Sequence, residues 1–400
     1  MTNRRTVLAG ALGAAALTAF GPATAAAASG PCAGPLILVG GSLADDNTDI
    51  YGEIVRRAGG ADARIGVLTA SSIPPSQDPD AGTPDANNSE ANGAFYAELL
   101  RSHGAGEAVW IPVDLDRATS ADDPAVAALA ASCTGFFFGG GDQFRYITTL
   151  LHGTAHTDTL VLAAIRRRHA AGALIAGSSA GAQIHQGRDM VTGGESYNAV
   201  RDGAQPGYFD DPDVSGYWPA GGFGFLTSGL IDTHFTAYGR LGRAIQLAVD
   251  TGHRRVYGLD PNTALVVTAP GTRDERGRVL GTGGVNVLDL RNGVHWSHLT
   301  AGFGYLPRTW QATAPLMLRE LRPRGARAVA DSDDVFGDDV ATALALELAG
   351  SRDHSVTGYT RQLDPRFAVT LTKRAGFTAY SADGRTATAF TGLAVHIGQA

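Results

Sequence analysis

The chain is almost without lysine. Of its 32 basic residues in 400, only Lys373 is a lysine. A phosphate-binding P-loop needs a lysine directly after a Gly-rich turn, and Lys373 follows none. A Schiff-base or Ser-Lys mechanism would have to use this same residue, far along the chain in a strand-like stretch. Basic charge is not in surplus either. The formal charge is −7 and the pI about 5.9, which excludes nucleic-acid binding driven by charge. Charged residues make up only 18% and hydrophobic ones 44%, so the main state is not disordered. Long apolar runs are missing beyond a weak N-terminal one. No H-E-x-x-H occurs and the 11 histidines are scattered, so no metal or organic cofactor is implied. Glycine is abundant, at 53 residues, but without a three-residue period. It points to many tight turns rather than to collagen. The length fits two domains, or one large domain with an appendage.

Residues 1–28 read as an export signal. Asn3-Arg4-Arg5-Thr6-Val7-Leu8 gives a charged start, an Ala/Gly/Leu run follows to Phe20, and small residues end near Ala28. The arginine pair followed by a bulky apolar residue resembles a twin-arginine signal, and the expected location is extracellular. The run is short, poor in Leu and Ile, and broken by Pro22, which argues against a membrane anchor. After signal removal no membrane attachment is expected. Two cysteines remain in an exported chain, Cys32 and Cys133, each a few residues before an apolar run. If those runs are neighbouring parallel strands, both cysteines lie at one sheet end and a Cys32–Cys133 disulfide is expected.

From residue 35 short apolar runs alternate with longer amphipathic segments. Strands are predicted at 35–39, 64–69, 108–112, 135–138 and 173–176, with helices at 49–58, 92–102, 124–132, 144–152 and 157–171. Continuous apolar strands alternating with helices predict a mostly parallel sheet covered by helices on both faces, an α/β fold. Ligands of such sheets bind beyond the carboxyl ends of the strands. The Gly- and Ser-rich runs fall at those ends: Gly40-Gly41, Ser71-Ser72, Gly139 to Gln143, and Gly177 to Ala182. A first domain is expected over 34–306, a linker over 307–334, and a small C-terminal α+β module over 335–400.

The sharpest motif is Gly177-Ser178-Ser179-Ala180-Gly181-Ala182. It matches G-x-S-x-G with Ser179 central, between a predicted strand and a helix. Small flanking residues let the chain turn sharply and hold the serine on a strained tip. The helix that follows aims free N–H groups at developing negative charge. A serine nucleophile needs a base. Of the histidines, His234 stands out at the end of an apolar run, and taken alone it is as consistent with a structural role as with a functional one.

These pieces together resemble the cyanophycinase / dipeptidase E family of serine peptidases. The likeness covers about residues 34–295. It is carried by Gly34 to Gly41, Gly139-Gly-Gly-Asp-Gln143, Gly177 to Ala182, Met190-Val-Thr-Gly-Gly194, Asp232 to Phe235, Arg240-Leu-Gly-Arg243 and Asp260-Pro-Asn-Thr-Ala264. The length and the His-Phe pair look closer to cyanophycinase. The resemblance implies a flavodoxin-like sheet of the class I glutamine amidotransferase type and hydrolysis of an aspartyl-containing peptide, such as the β-linked Asp–Arg units of cyanophycin. It implies Ser179 as nucleophile, His234 as general base, and the N–H groups of Ala180 and of Gly140 or Gly141 as an oxyanion hole. Gln143, Asp232, Arg240 and Arg243 would line the substrate pocket, with Asp232 free to pair with a substrate cation. A homodimer is implied as well. Two positions depart from the family. Where a glutamate usually orients the histidine this chain has Pro261, which leaves Asp260 as the candidate third member. Where an arginine usually stands four residues after the histidine it has Tyr238.

Two rival readings follow from the same residues. An α/β-hydrolase esterase shares the serine elbow but orders its triad serine, acid, histidine, and would need Asp260 with His295 or His298. A secreted binding protein that kept the fold and lost the chemistry would explain Pro261 and Tyr238.

Overall fold

The computed structural model describes residues 33–323 and 329–400. The export segment and Cys32 lie outside the described residues. Five short strands come first: β1 (Leu36–Val39), β2 (Arg64–Leu68), β3 (Glu107–Trp110), β4 (Gly135–Phe138) and β5 (Leu174–Ser178). All neighbours among them pair in parallel, in the order β3-β2-β4-β5-β1. Their residues are apolar without alternation because both faces are covered. On one face Ile37, Val39, Ile65, Val67 and Phe137 pack against helices α1 (Thr48–Ala58) and α2 (Ser89–Ser102). On the other, Leu36, Leu38, Phe136, Phe138 and Ile175 meet α4 (Gln143–Leu150) and α5 (Leu160–Ala170), and α3 (Pro124–Ala131) contributes Ala130. Burying one such phenylalanine is worth about 2–3 kcal/mol before entropy is counted.

The expected sheet is therefore present, and it is larger than the sequence pattern suggested. After helices α6 (Ala180–Gln183) and α7 (Ser196–Asp202) the chain forms β6 (Leu230–Asp232), α8 (Leu241–Thr251), β7 (Arg255–Leu259), β8 (Thr263–Thr268) and β9 (Arg276–Gly281). Next come β10 (Gly284–Asp289), β11 (Val294–Thr300), β12 (Gly304–Leu306), β13 (Gln311–Thr313) and β14 (Arg319–Glu320). β8, β9, β12 and β13 extend the first sheet beside β1, all antiparallel. β1 and β4 are parallel but not neighbours, since β5 lies between them. The premise that would have brought Cys32 and Cys133 to adjacent strands does not hold. Cys133 is buried, with its Sγ 3.4 Å from the carbonyl oxygen of Leu129.

The last segment contains α9 (Val340–Gly350), β15 (Ser355–Tyr359), β16 (Phe367–Ser381) and β17 (Ala389–Gln399). It has the expected α+β content, but its strands build onto the rest of the molecule. They complete a second, largely antiparallel sheet in the order β6-β7-β10-β11-β17-β16-β14, with β15 beside β16. Trp296 of β11 stands opposite Leu393 of β17, and Val294 opposite Val395. Helices α8 and α9 cover one face of this sheet, through Leu241, Ala248, Leu344 and Leu348. Tyr257, Val285 and Leu299 on the other face join the core of the first sheet. The stretch read as a linker carries β13 and β14.

Phe390 is fully buried against Trp296, with ring centroids 5.3 Å apart. Phe390→Ala is expected to cost about 3–5 kcal/mol. It should shift a single unfolding transition, followed together by tryptophan fluorescence and far-UV circular dichroism, rather than split off a separate one.

Candidate functional site

The carboxyl ends of β1, β4 and β5 converge on one turn. Ser179 follows β5 and takes φ 55° and ψ −121°, outside the regions that most side chains occupy. A Cβ on Gly177 would strike the carbonyl oxygen of Gly181, and one on Gly181 would strike that of Phe138. The two glycines of the motif are thus demanded by contact. Ser179 N–H donates to Val39 O at 3.0 Å, fastening the turn to β1. The helix that follows is a single turn, so it contributes its local N–H groups rather than a helix dipole.

His234 arrives from β6. Its backbone takes φ 46°, and its N–H donates to Gly40 O at 2.7 Å. A Cβ on Gly41 would overlap the imidazole, so the bare backbone of Gly41 makes room for the ring. Ser179 Oγ and His234 Nε2 are 2.8 Å apart. With the imidazole proton on Nδ1 the hydroxyl donates to Nε2, the arrangement in which a base takes a proton from a nucleophile. Tyr238 stacks on the imidazole at 4.9 Å and 14°. Burial, followed by the cationic Arg240, pushes the His234 pKa down to about 4. The ring is therefore a neutral base throughout the ordinary pH range.

The N–H groups of Gly140, Gly141 and Ala180 have no internal acceptor among the described residues. A Cβ on Gly140 would lie 3.3 Å from that of Ser179. Gly140 and Ala180 flank the serine, and Gly141 lines the same cleft.

The sequence-derived candidates divide at this point. Gln143 and Arg240 line the cleft with Ser179 and His234, a space of about 380 Å³. Gln143 is held by its Nε2, which donates to Val191 O at 2.8 Å. Asp232 is not free for a substrate cation. Its carboxylate takes two hydrogen bonds from Arg243, at 2.8 and 2.6 Å, and is buried. Arg243 also donates to Gly194 O, so it serves chiefly as the partner of Asp232. Arg240 bonds Thr233 O through Nη1 and leaves Nε and Nη2 without a partner among the described residues. It is the cation offered to the cleft, and burial followed by the Arg243 charge lowers its pKa to about 10.

Asp260 does not meet His234. Its carboxylate accepts Gly284 N–H at 2.9 Å and Asn286 Nδ2 at 2.8 Å. Asn286 Oδ1 in turn accepts Trp296 Nε1 and faces His298 Nδ1 at 2.8 Å. Burial raises the Asp260 pKa to about 7. Asp260 belongs to a buried network beneath the site. His298 is locked in that network, and His295 is half-buried beside Asn292 O. Neither histidine lines the serine cleft, which removes the triad an α/β-hydrolase would need.

Thr233 went unnoticed in the sequence. It lines the cleft, is fully buried, and its Oγ1 has no hydrogen-bond partner. Its place between two candidate residues was the only signal. Phe209 and Tyr208 were missed too. They come from the irregular stretch after α7 and overhang the cleft, with Tyr208 donating to Asp142 at 2.7 Å.

No protein-family model matches the chain. A cyanophycinase from Synechococcus elongatus is 32% identical over 238 residues, 59% of this chain and 62% of the relative. The match thus spans less than two thirds of that protein. A cyanophycinase from Trichormus variabilis is 29% identical over 293 residues, 72% of this chain and 81% of the relative. Among solved structures, a peptidase from an acI-B1 Actinobacterium is 20% identical, with TM-score 0.47, over 69% of this chain and 98% of its own.

The chemical shifts of His234 should titrate with a midpoint near pH 4. Opening the ring to water with Tyr238→Ala should raise that midpoint toward the ordinary value of about 6.5. A midpoint already near 6.5 in the unmodified protein would mean that the ring is not desolvated as described.

Proposed function

Because the chain belongs to the cyanophycinase / dipeptidase E-like family, we propose that it is an exported serine-type peptidase. Its substrate in this reading is an aspartyl-containing peptide, with the β-linked Asp–Arg units of cyanophycin as the first candidate. One observation carries the reading: a strained serine whose Oγ lies 2.8 Å from a neutral, desolvated imidazole. Ser179 attacks the scissile carbonyl carbon while His234 takes its proton. The developing oxyanion meets the N–H groups of Gly140 or Gly141 and Ala180. His234 then returns the proton to the departing amine, and the acyl group stays on Ser179 until water, activated by the same histidine, releases it. Arg240, which lines the cleft, holds a substrate carboxylate in this reading.

In this reading the machinery is a serine–histidine pair, with no carboxylate on Nδ1 among the described residues. Gly41, Tyr238 and the His234 N–H to Gly40 O bond hold the ring in its place. Asp260 ties the turn after β7 to β10, through Gly284 and Asn286.

Release of arginine-containing dipeptides from cyanophycin, with fluorophosphonate labelling, tests the proposal. Ser179→Ala and His234→Ala are expected to lose at least about a thousandfold in kcat, and Ser179→Ala to lose the label. Labelling absent from the unmodified protein would favour a binding protein on the same fold. Asp260→Asn should keep kcat within about tenfold, whereas removing a true triad aspartate costs about 10⁴-fold. Export is tested separately. Residues 1–28 fused to a reporter should carry it out of the cell, and Arg4→Lys with Arg5→Lys should stop it.

A further inference from the structure

A cavity of about 460 Å³ lies across the Gly140–Gly141 turn from the serine cleft. The two meet at Gly141, which lines both. The order of the first sheet decides which part of a substrate can reach it. Ser72 follows β2, the Gly139–Gly141 turn follows β4, and Ser179 follows β5. Gly41, against the imidazole of His234, follows β1. These strands lie side by side in the order β2-β4-β5-β1. A departing amine takes its proton from the histidine. It therefore leaves on the β1 side of Ser179, and the acyl part that stays on the serine extends toward β4 and β2.

The cavity is walled by α2, through Asn92, Phe95 and Tyr96, by the turn after β2, and by Arg145 of α4. These parts are tied to one another and to the floor. Asn92 Nδ2 donates to Ser72 Oγ at 3.1 Å, and Ser71 Oγ donates to Gly140 O at 2.8 Å. A Cβ on Gly139 would lie 3.3 Å from the ring of Tyr96. The rings of Phe95 and Tyr96 pack edge to face, with centroids 5.3 Å apart, and Phe95 is 48% exposed.

No carboxylate lines this cavity, in a chain of net charge −7. Its one charged group is Arg145, half-buried and fixed by Nη1, which donates to Ser71 O at 2.9 Å. Nε and Nη2 have no hydrogen-bond partner among the described residues. Asp142, one turn earlier, spends its carboxylate on the Phe144 N–H and the Tyr208 hydroxyl. A guanidinium partly withdrawn from water, held in place and without a counterion is prepared for a planar anion.

We propose that this cavity is a second substrate subsite, which takes the side-chain carboxylate of the residue adjoining the aspartyl residue on its retained side. Arg145 supplies the charge, and Phe95 and Tyr96 pack against the stem. This rests on the peptidase reading and adds to it a preference for a second acidic residue.

Binding to the full-length Ser179→Ala protein tests the subsite without relying on turnover. Two N-acetylated tripeptides, glutamate-aspartate-alanine and glutamine-aspartate-alanine, are titrated by calorimetry. The glutamate peptide should bind about fivefold more tightly, the scale of a partly exposed ion pair. The difference should shrink as salt is raised. Arg145→Gln should bring the two peptides to one affinity, and Arg145→Lys should restore part of the difference. With Ser179 intact, the same preference should appear in KM. Equal affinity for the two peptides, or no measurable binding of either, overturns the subsite. So does a fivefold ratio that survives Arg145→Gln while both affinities fall, since Arg145 would then serve only to hold the turn after β2. Failure of the peptidase reading would show differently, as charge-selective binding with no turnover by the unmodified protein.

Discussion

The carbonyl oxygen of Phe138 touches the turn after β5 at residue 181, which has no side chain to obstruct it. That close approach sets the geometry of the whole site. It brings the Gly139–Gly141 loop beside Ser179, so backbone donors and hydroxyl share one small volume. The backbone strain at Ser179 is sustained by the sheet, through Val39 on one side and β4 on the other. Strain of this kind costs about 1–3 kcal/mol and persists only where the surroundings over-determine it. Five parallel strands buried on both faces supply that determination.

Histidine 234 is positioned by different means. Its ring fills the space left open by Gly41 and is covered by Tyr238. Burial and nearby arginines remove its tendency to take a proton, so it stays neutral without an acidic partner. An acid on Nδ1 would do the reverse, stabilising the imidazolium and raising the pKa. The departures at Pro261 and Tyr238 are thus two parts of one arrangement. Among the described residues no carboxylate bonds to the imidazole, and the ring of Tyr238 stacks on it.

The first sheet and its elbow were legible because their signals are local. Continuous apolar strands and G-x-S-x-G are each written within a few residues. The pairing of Asp232 with Arg243 was not legible, since a carboxylate in a candidate pocket looks the same in sequence whether free or engaged. Asp260 misled for a related reason: sequence distance to Pro261 says nothing about Asn286, which approaches from β10. The C-terminal strands were visible as strands, but their partners lie far back in the chain. Nothing near residue 393 announces that it stands beside Trp296. Thr233 was missed because a buried hydroxyl without a partner is a property of packing alone.

The order in which the chain is synthesised has a bearing on the second sheet. Its final strand, β17, lies in the interior, between β11 and β16, and not at an edge. Until β17 has been synthesised, Trp296 and the open side of β11 lack the strand that pairs with them. The segment before α9 follows all of the first sheet in the chain, and it packs against the His234 turn through Asp339 and Phe336. The elbow draws on the five parallel strands alone, whereas the second sheet waits for strands that come after α9 in the chain. A chain cut ahead of β17 would keep the serine elbow and lose the strand that pairs with β11 beside Trp296.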